Sequence, residues 1–300
     1  MANSPVRRVF AYPQISWFPG HMHKTRKEMY ERLGQVDLFL EVRDARVPYT
    51  SANPMSEGIA ARKKSLILLN KSDLCCLAYT KVGHMQMIMQ RMKTEGHNVM
   101  LFSTLSRHNL KTLLTEAARI APAKFKTVGM WMMVGGIPNT GKSSIINTLR
   151  AKSRDFDKSR DYSGSIAKVG PKPGVTKSSE GFKVSADPLI YVVDSPGIMA
   201  PQIEDPETGM KLALTGALKD GAVDQETLCD YLFFVLNRLG CHLYVEKYGL
   251  GKATEDTDSI LKKLERDYGW ERSAVCEAVL SHYRSGRLGK VTLDKVKLVT

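Results

Sequence analysis

Short apolar runs, each bounded by polar residues, recur through the first two thirds of the chain. Runs of this kind are typical of strands that are buried on both faces of a parallel sheet. We predict five such strands, at residues 36–42, 65–70, 98–102, 130–135 and 189–194. Stretches with helical spacing lie between several of them, at residues 81–95, 110–120 and 142–149. This alternation predicts an α/β domain with a mostly parallel sheet and helices on both of its faces.

The pattern changes after about residue 206, where the strand-like runs stop. Four helical stretches follow and predict a small all-helical C-terminal domain, at residues 208–218, 225–239, 257–268 and 273–285. Residues 150–183 are polar, rich in Lys and Arg and interrupted by Gly and Pro, which predicts a mobile loop. We therefore expect a basic N-terminal extension, the α/β domain and the helical domain at residues 1–16, 17–205 and 206–300.

The segment GIPNTGKS at residues 136–143 fits the phosphate-loop pattern GxxxxGK[ST], with a predicted strand before it and a predicted helix after it. The backbone N–H groups of such a loop, together with the helix N-terminus, cradle phosphates. We expect Lys142 to reach the β- and γ-phosphates and the Ser143 hydroxyl to ligate Mg²⁺. The predicted nucleotide-binding residues of this segment are Asn139, Thr140, Gly141, Lys142, Ser143 and Ser144.

A second nucleotide motif, NKSD at residues 70–73, follows the second predicted strand. The Asp73 carboxylate can accept hydrogen bonds from the N1–H and the exocyclic amine of guanine, and adenine lacks this pair of donors. We expect Asn70 to contact the base and to tie this loop to the phosphate loop, and the Lys71 stem to cover the ring. The motif therefore predicts selectivity for guanine nucleotides.

The ends of the predicted strands carry these motifs. Asn70, Ser103, Gly136 and Asp194 all stand at or directly after a carboxyl end. Since parallel sheets bind ligands beyond the carboxyl ends of their strands, one crevice can collect all four positions. Ser103 and Thr104 are expected to offer a backbone N–H to the guanine O6.

The segment DSPG at residues 194–197 supplies a third motif. The Asp194 carboxylate can hold Mg²⁺ through water, and the Gly197 N–H can bond the γ-phosphate. Thr176, between the phosphate loop and DSPG, is the candidate that closes over Mg²⁺ and the γ-phosphate. Ile198 stands where Ras-type enzymes carry a glutamine that orients water, so unaided hydrolysis should be slow.

The order of the motifs is the reverse of the usual one, because NKSD precedes the phosphate loop. Either one of the two matches is accidental or the domain is circularly permuted. Permutation places the DSPG segment directly before the helical domain. Loss of the γ-phosphate could then reposition that domain.

Charge and composition narrow the class of partner. The chain has 300 residues and a net charge of +13, and residues 1–200 hold 30 Lys and Arg against 15 Asp and Glu. Clustered positive charge favours a polyanion such as RNA, and a basic protein without such a partner is the alternative.

No uninterrupted apolar stretch approaches the roughly 18 residues of a membrane span. The five cysteines form no CxxC pair, which favours reduced thiols over disulfides or zinc.

Three further segments complete the pattern: WFPGHM at residues 17–22, DARVP at 44–48 and GRLGK at 286–290. With the motif order, they resemble the circularly permuted GTPases, in the branch of bacterial ribosome-biogenesis GTPase A and mitochondrial ribosome-associated GTPase 1. The resemblance spans about residues 17–295. It implies a GTPase that uses GTP, GDP and Mg²⁺ and assists late maturation of the large ribosomal subunit. That subunit's rRNA and proteins are the implied partners.

The resemblance also implies roles for single residues. His21 matches a family histidine implicated in catalysis in place of the missing glutamine, and a surface or packing histidine is the alternative. Asn139 matches an asparagine associated with K⁺, while Thr140 stands where valine is usual. The predicted catalytic residues are Lys142, Thr176, Gly197 and His21. The predicted metal ligands are Ser143, Thr176 and Asp194 for Mg²⁺, and Asn139 for K⁺.

The N-terminus bears on localisation. Its first 27 residues contain Arg7 and Arg8 but no acidic residue, as in a mitochondrial presequence, and a plain basic tail is the alternative. We expect the mitochondrial matrix or the matrix face of the inner membrane, with the bacterial cytoplasm as the alternative. We expect no DNA partner and no stable homo-oligomer, and a peripheral membrane contact stays open. The rival functions are a GTP-dependent switch that docks on a protein or membrane without RNA, and an ATP-dependent kinase, which Asp73 disfavours.

Overall fold

Two layers of helices enclose a six-stranded sheet in the first two thirds of the chain. The computed structural model describes residues 9–13, 30–53, 55–76, 84–105, 109–123, 125, 127–158, 181–194, 203, 205–218 and 221–296, with the backbone alone at 56, 57, 152–158 and 194. The strands are β1 (Leu38–Asp44), β2 (Lys64–Asn70), β3 (Val99–Leu101), β4 (Met130–Gly135), β5 (Gly181–Ala186) and β6 (Leu189–Asp194). Their order across the sheet is β3-β2-β1-β4-β6-β5.

The strand order creates a reversal in the middle of the sheet. All neighbouring strands run parallel except β5, which is antiparallel to β6. From β1 the chain proceeds outward through β2 to β3 and then returns to β4 on the other side of β1. Such a topological switch point leaves a crevice beyond the carboxyl ends of the two central strands.

Helices cover both faces of the sheet, as the sequence predicts. They are α1 (Ser56–Ala60), α2 (His84–Thr94), α3 (Asn109–Ile120) and α4 (Lys142–Lys158). Leu113 of α3 and Ile145 of α4 are fully buried in the core on one face. Ile59 of α1 and Ile88 of α2 are fully buried on the opposite face.

Five further helices form the C-terminal bundle: α5 (Pro206–Thr215), α6 (Gln225–Arg238), α7 (Leu243–Lys247), α8 (Thr257–Tyr268) and α9 (Arg272–Arg284). Asp205 caps α5, since its carboxylate accepts the Thr208 N–H at 2.9 Å and Pro206 occupies the first turn. The apolar core of the bundle also includes Val47 and Ile137 from the first part of the chain. None of the helices in the described ranges is long and apolar enough to cross a membrane.

The predicted mobile loop at 150–183 is wrong at both of its ends. Residues 150–158 continue α4, and residues 181–183 begin β5. Arg150 lies over the ring of Phe182 at 5.0 Å, so the two elements pack together. β5 is an edge strand that mixes polar and apolar residues, so no apolar run announces it. Residues 159–180 lie outside the described part of the chain.

Phe10 anchors the N-terminal segment to the bundle, and this anchor is testable. Its ring centroid lies 5.2 Å from that of Tyr231 and 5.3 Å from that of Phe234. Phe10→Ala should lower the free energy of unfolding by about 3 kcal/mol, because a buried ring is lost. Val9→Ala is the matched control, since Val9 is 78% exposed. Urea unfolding followed by tryptophan fluorescence compares the two, and equal midpoints would contradict the anchor.

Candidate nucleotide-binding site

The carboxyl ends of four neighbouring strands meet at one edge of the sheet. In the strand register Asp44 of β1 lies beside Asn70 of β2, and Asp194 of β6 lies beside Val134 of β4. The phosphate loop begins directly after β4, at Gly136. The structure therefore brings the phosphate loop, the NKSD loop and the start of DSPG to the same crevice, at the switch point of the sheet.

The backbone of the phosphate loop has the shape of an anion cradle. Three of its residues have positive φ angles: Gly136 (146°), Asn139 (57°) and Gly141 (97°). Turns of this kind aim successive N–H groups into one concavity. A side chain at Gly136 would collide with the carbonyl oxygen of Val42, so the loop lies directly on β1. Ser143 is exposed in the first turn of α4, where the helix N-terminus adds positive potential.

Two side chains brace this loop from within. Lys142 Nζ donates to the carbonyl oxygen of Ile137 at 2.6 Å, and Thr140 Oγ1 donates to the same oxygen at 3.0 Å. Thr140 is 1% exposed. Because its buried hydroxyl is paired, threonine replaces the usual valine here without leaving an unsatisfied polar group.

The NKSD loop is tied to the phosphate loop by two side chains. Asn70 Nδ2 donates to the Thr140 carbonyl oxygen at 2.8 Å, and Lys71 Nζ donates to that of Asn139 at 2.6 Å. A Cβ atom at Gly141 would collide with Asn70 Nδ2, so this close approach requires glycine. The tie predicted for Asn70 is therefore present in the structure.

Asp73 is held in place by Ser103. The Ser103 hydroxyl donates to Asp73 Oδ1 at 2.5 Å and accepts the Leu105 N–H at 3.2 Å. Ser103 is buried, whereas Thr104 is partly exposed. The sequence suggested only a backbone role for this pair of residues, and the orienting hydroxyl of Ser103 was not predicted. A serine directly after a strand was the available signal.

Asp44 is a site residue that the motifs did not single out. Its Oδ2 lies 2.9 Å from Lys71 Nζ and 2.8 Å from Arg46 Nη2. Burial alone would raise the pKa of the Asp44 carboxyl, but the Arg46 guanidinium and the Lys71 ammonium outweigh burial and lower that pKa to about 2. The carboxylate therefore stays ionised at physiological pH and holds the Lys71 ammonium of the NKSD loop. The only sequence signal was the DARVP segment.

The phosphate loop also contacts the C-terminal bundle directly. The Ile137 side chain is fully buried in the bundle core. Asn139 Nδ2 donates to the carbonyl oxygen of Gly216 at 2.6 Å, and Gly216 is the left-handed residue that ends α5. These two contacts were not predicted, because they join segments that are far apart in the sequence. The two residues of the hydrogen bond are 77 positions apart.

Several predicted site residues cannot be placed. His21, Thr176 and Gly197 lie outside the described residues. Asp194 is placed by its backbone at the end of β6, without a description of its side chain. Of the three predicted Mg²⁺ ligands, the described residues therefore include Ser143 and the backbone of Asp194, but not Thr176.

Known proteins are similar in sequence to this chain over nearly its whole length. The family described as "50S ribosome-binding GTPase" matches residues 132–273. Mitochondrial ribosome-associated GTPase 1 of Mus musculus is 34% identical over 93% of this chain and 90% of its own length. Mitochondrial GTPase 1 of Schizosaccharomyces pombe is 36% identical over 97% of this chain and 93% of its own. Ribosome biogenesis GTPase A of Bacillus cereus is 30% identical over 93% of each chain.

A solved structure supports the fold independently. The crystal structure of GNP-bound YlqF from T. maritima superposes with a TM-score of 0.60 and covers 92% of this chain and all of its own, at 20% identity. At that identity the likeness concerns the fold alone. Sequence relatives above 30% identity extend over nearly the whole chain, and the site carries the permuted order of motifs. The chain therefore belongs to the circularly permuted GTPases of the mitochondrial ribosome-associated GTPase 1 and ribosome biogenesis GTPase A family.

Proposed function

We propose that this GTPase is an assembly factor that binds large-subunit rRNA and promotes late maturation of the mitochondrial large ribosomal subunit. The observation that carries the proposal is the direct contact between the phosphate loop and the C-terminal bundle, through Ile137 and the Asn139–Gly216 hydrogen bond. A site built in this way can pass a change at the nucleotide to an appended binding domain. The names of the relatives supply the ribosome and the mitochondrion.

The described residues fit a guanine nucleotide with Mg²⁺. We infer that the N–H groups of the phosphate loop and Lys142 bind the phosphates, that Asp73 reads the base and that the Lys71 stem covers its ring. The exposed Ser143 hydroxyl, Asp194 at the end of β6 and Thr176 are our candidates for the Mg²⁺ ligands. The Gly197 N–H is our candidate for a hydrogen bond to the γ-phosphate. When bound, Mg²⁺ neutralises charge on the phosphates. His21 remains our candidate for positioning the attacking water.

Asn139 is our candidate for a K⁺ ligand. Its Nδ2 donates to the Gly216 carbonyl oxygen, so its amide oxygen is the atom that can ligate a cation. Asn139 lies in the phosphate loop with a positive φ of 57°. A K⁺ ion there would add positive charge beside the phosphates without altering the loop.

Helix α5 is suited to transmit the nucleotide state. Its N-terminus is capped by Asp205, soon after the DSPG segment, and Gly216, which caps its C-terminus, accepts a hydrogen bond from Asn139 of the phosphate loop. The last carbonyls of α5 are further held by Arg284, which donates to Ala213 and Leu214 at 3.0 and 3.2 Å. Because both ends of one helix are linked to nucleotide-contacting segments, loss of the γ-phosphate should shift the bundle.

Positive charge supports RNA as the partner. Residues 1–200 hold twice as many basic as acidic residues, whereas residues 201–300 carry 14 Lys and Arg against 16 Asp and Glu. Generic attraction to phosphate should therefore come from the GTPase part of the chain. The second candidate function is a GTP-dependent switch that docks on a protein or membrane surface, and docking on an uncharged protein surface would leave this charge without a partner.

The guanine assignment predicts a change of nucleotide preference. Asp73→Asn should weaken GTP binding by about 100-fold, because two hydrogen bonds to a charged acceptor are lost. The same variant should gain affinity for XTP, since an asparagine amide can donate to the xanthine O2. Titration with fluorescent GDP and XDP measures both effects, and an unchanged preference for GDP would show that Asp73 does not read the base.

Sedimentation of cell extract tests the partner. The protein should migrate with large-subunit particles in a non-hydrolysable GTP analogue and less in GDP. Neutralising Lys168 and Lys172 to Gln, in the Lys- and Arg-rich segment at residues 150–183, should weaken this association and reduce its salt dependence. Neutralising the exposed Lys93 and Lys111 on α2 and α3 is the matched control.

Two outcomes of that experiment would count against the proposal. Equal migration in GDP and in the GTP analogue would contradict the switch. Unchanged migration of the Lys168/Lys172 variant with large-subunit particles, with its GTP hydrolysis intact, would favour docking on a protein surface of the particle instead of RNA.

A further inference from the structure

A buried ion pair lies between the NKSD loop and the C-terminal bundle. Arg46 is 1% exposed and Asp44 is 2% exposed. Arg46 Nε donates to Asp44 Oδ1 at 3.0 Å and Nη2 donates to Oδ2 at 2.8 Å, and the Arg46 backbone N–H adds a third bond at 3.0 Å. A two-pronged pair of this kind fixes the orientation of the carboxylate.

The carboxylate is shared with the NKSD loop. Asp44 Oδ2 contacts Lys71 Nζ at 2.9 Å, and the same Nζ donates to the Asn139 carbonyl oxygen in the phosphate loop. Lys71 has a φ angle of 60°, which fixes the direction in which its stem leaves the backbone. The position of the lysine that covers the guanine ring is therefore set by Asp44 from one side and by the phosphate loop from the other.

The bundle closes the opposite side of the pair. The Arg46 guanidinium lies 5.4 Å from the ring centre of Tyr283 on α9, and Tyr283 is itself 1% exposed. The Leu293 N–H, beyond α9, donates to the Arg46 carbonyl oxygen at 2.7 Å. Arg46 is thus held by Asp44 and by the bundle together.

Loss of the Tyr283 ring from Arg46 would change the position of Lys71. A guanidinium that loses its aromatic cover becomes accessible to water and dissociates more easily from its partner. Asp44 would then keep Lys71 as its main counterion. A stronger pull towards Asp44 would draw the ammonium away from Asn139 and the lysine stem away from the base.

We propose that Asp44 and Arg46 are positioning residues for guanine nucleotide binding, and that Tyr283 makes their geometry depend on the docked bundle. The proposal rests on the role of Lys71 in the proposed function. It implies that a partner which displaces the bundle from Arg46 weakens nucleotide binding. The bundle would then act on the nucleotide site as well as respond to it.

Substitution of Tyr283 tests this dependence in the full-length protein. Tyr283→Leu should raise the dissociation constants of fluorescent GDP and IDP by the same factor, about fivefold to tenfold, as a desolvated cation–π contact is lost. IDP lacks the exocyclic amine that Asp73 binds, so an unchanged GDP:IDP ratio separates an effect on Lys71 from one on Asp73. Tyr283→Phe keeps the ring and should restore binding close to that of the wild type.

Matched variants exclude a general loss of stability. Tyr248→Leu removes another buried tyrosine of the bundle, one whose hydroxyl faces His282, and should leave both constants unchanged. Arg46→Lys keeps the charge but loses the two-pronged geometry, and it should raise both constants equally even if Tyr283→Leu fails to fold.

The failures are distinguishable. If Lys71→Met leaves GDP binding unchanged, the role of Lys71 in the proposed function is wrong, and the positioning role falls with it. If Lys71→Met weakens binding while folded Tyr283→Leu and Arg46→Lys do not, the positioning role alone is wrong. A collapse of the GDP:IDP ratio in the Tyr283 variant would also overturn it, because the effect would then run through Asp73.

Discussion

The hydrogen bond from the Asn70 side chain to the Thr140 carbonyl joins the NKSD loop to the phosphate loop. In the proposed function, one loop recognises the base and the other cradles the phosphates. The contact requires a glycine at position 141, because a Cβ atom there would occupy the place of the Asn70 amide. Parallel register between β1 and its neighbours β2 and β4 brings the two loops within reach. The other contacts of the site, such as Lys71 with Asn139 and Ser103 with Asp73, lie beside this hydrogen bond.

Circular permutation changes which segment of the chain follows the site, whereas the geometry of the site is set by the sheet. The strand order places β1 and β4 side by side, so the reversed order of the motifs in sequence has no effect on their adjacency in space. The chain instead gains a helical bundle directly after the DSPG segment. Ile137 and Asn139 then bind that bundle from the phosphate loop itself. The candidate site is therefore continuous with the bundle at the phosphate loop and, through Asp44 and Arg46, at the NKSD loop.

Local sequence signals predicted the elements with strong periodicity and the motifs with fixed spacing. The parallel strands, the long helices and the Asn70 tie belong to this group. Edge strand β5 and the extension of α4 were missed because their residues are mostly polar and their packing, such as Arg150 over Phe182, is tertiary. Sequence reasoning also missed Ser103 as the partner of Asp73, and Asp44 as the partner of Lys71. Such partners are chosen by strand register, which spacing along the chain does not report.

Hydrogen–deuterium exchange of the full-length protein measures whether the nucleotide and the C-terminal bundle are coupled. The amides of α5 and of Gly216 should exchange at different rates when GDP replaces a non-hydrolysable GTP analogue, because α5 is linked to the phosphate loop through Asn139. Exchange at the distant α8 should remain the same and serves as the internal reference. Identical protection of α5 in the two nucleotide states, with the phosphate loop itself responding, would contradict the account.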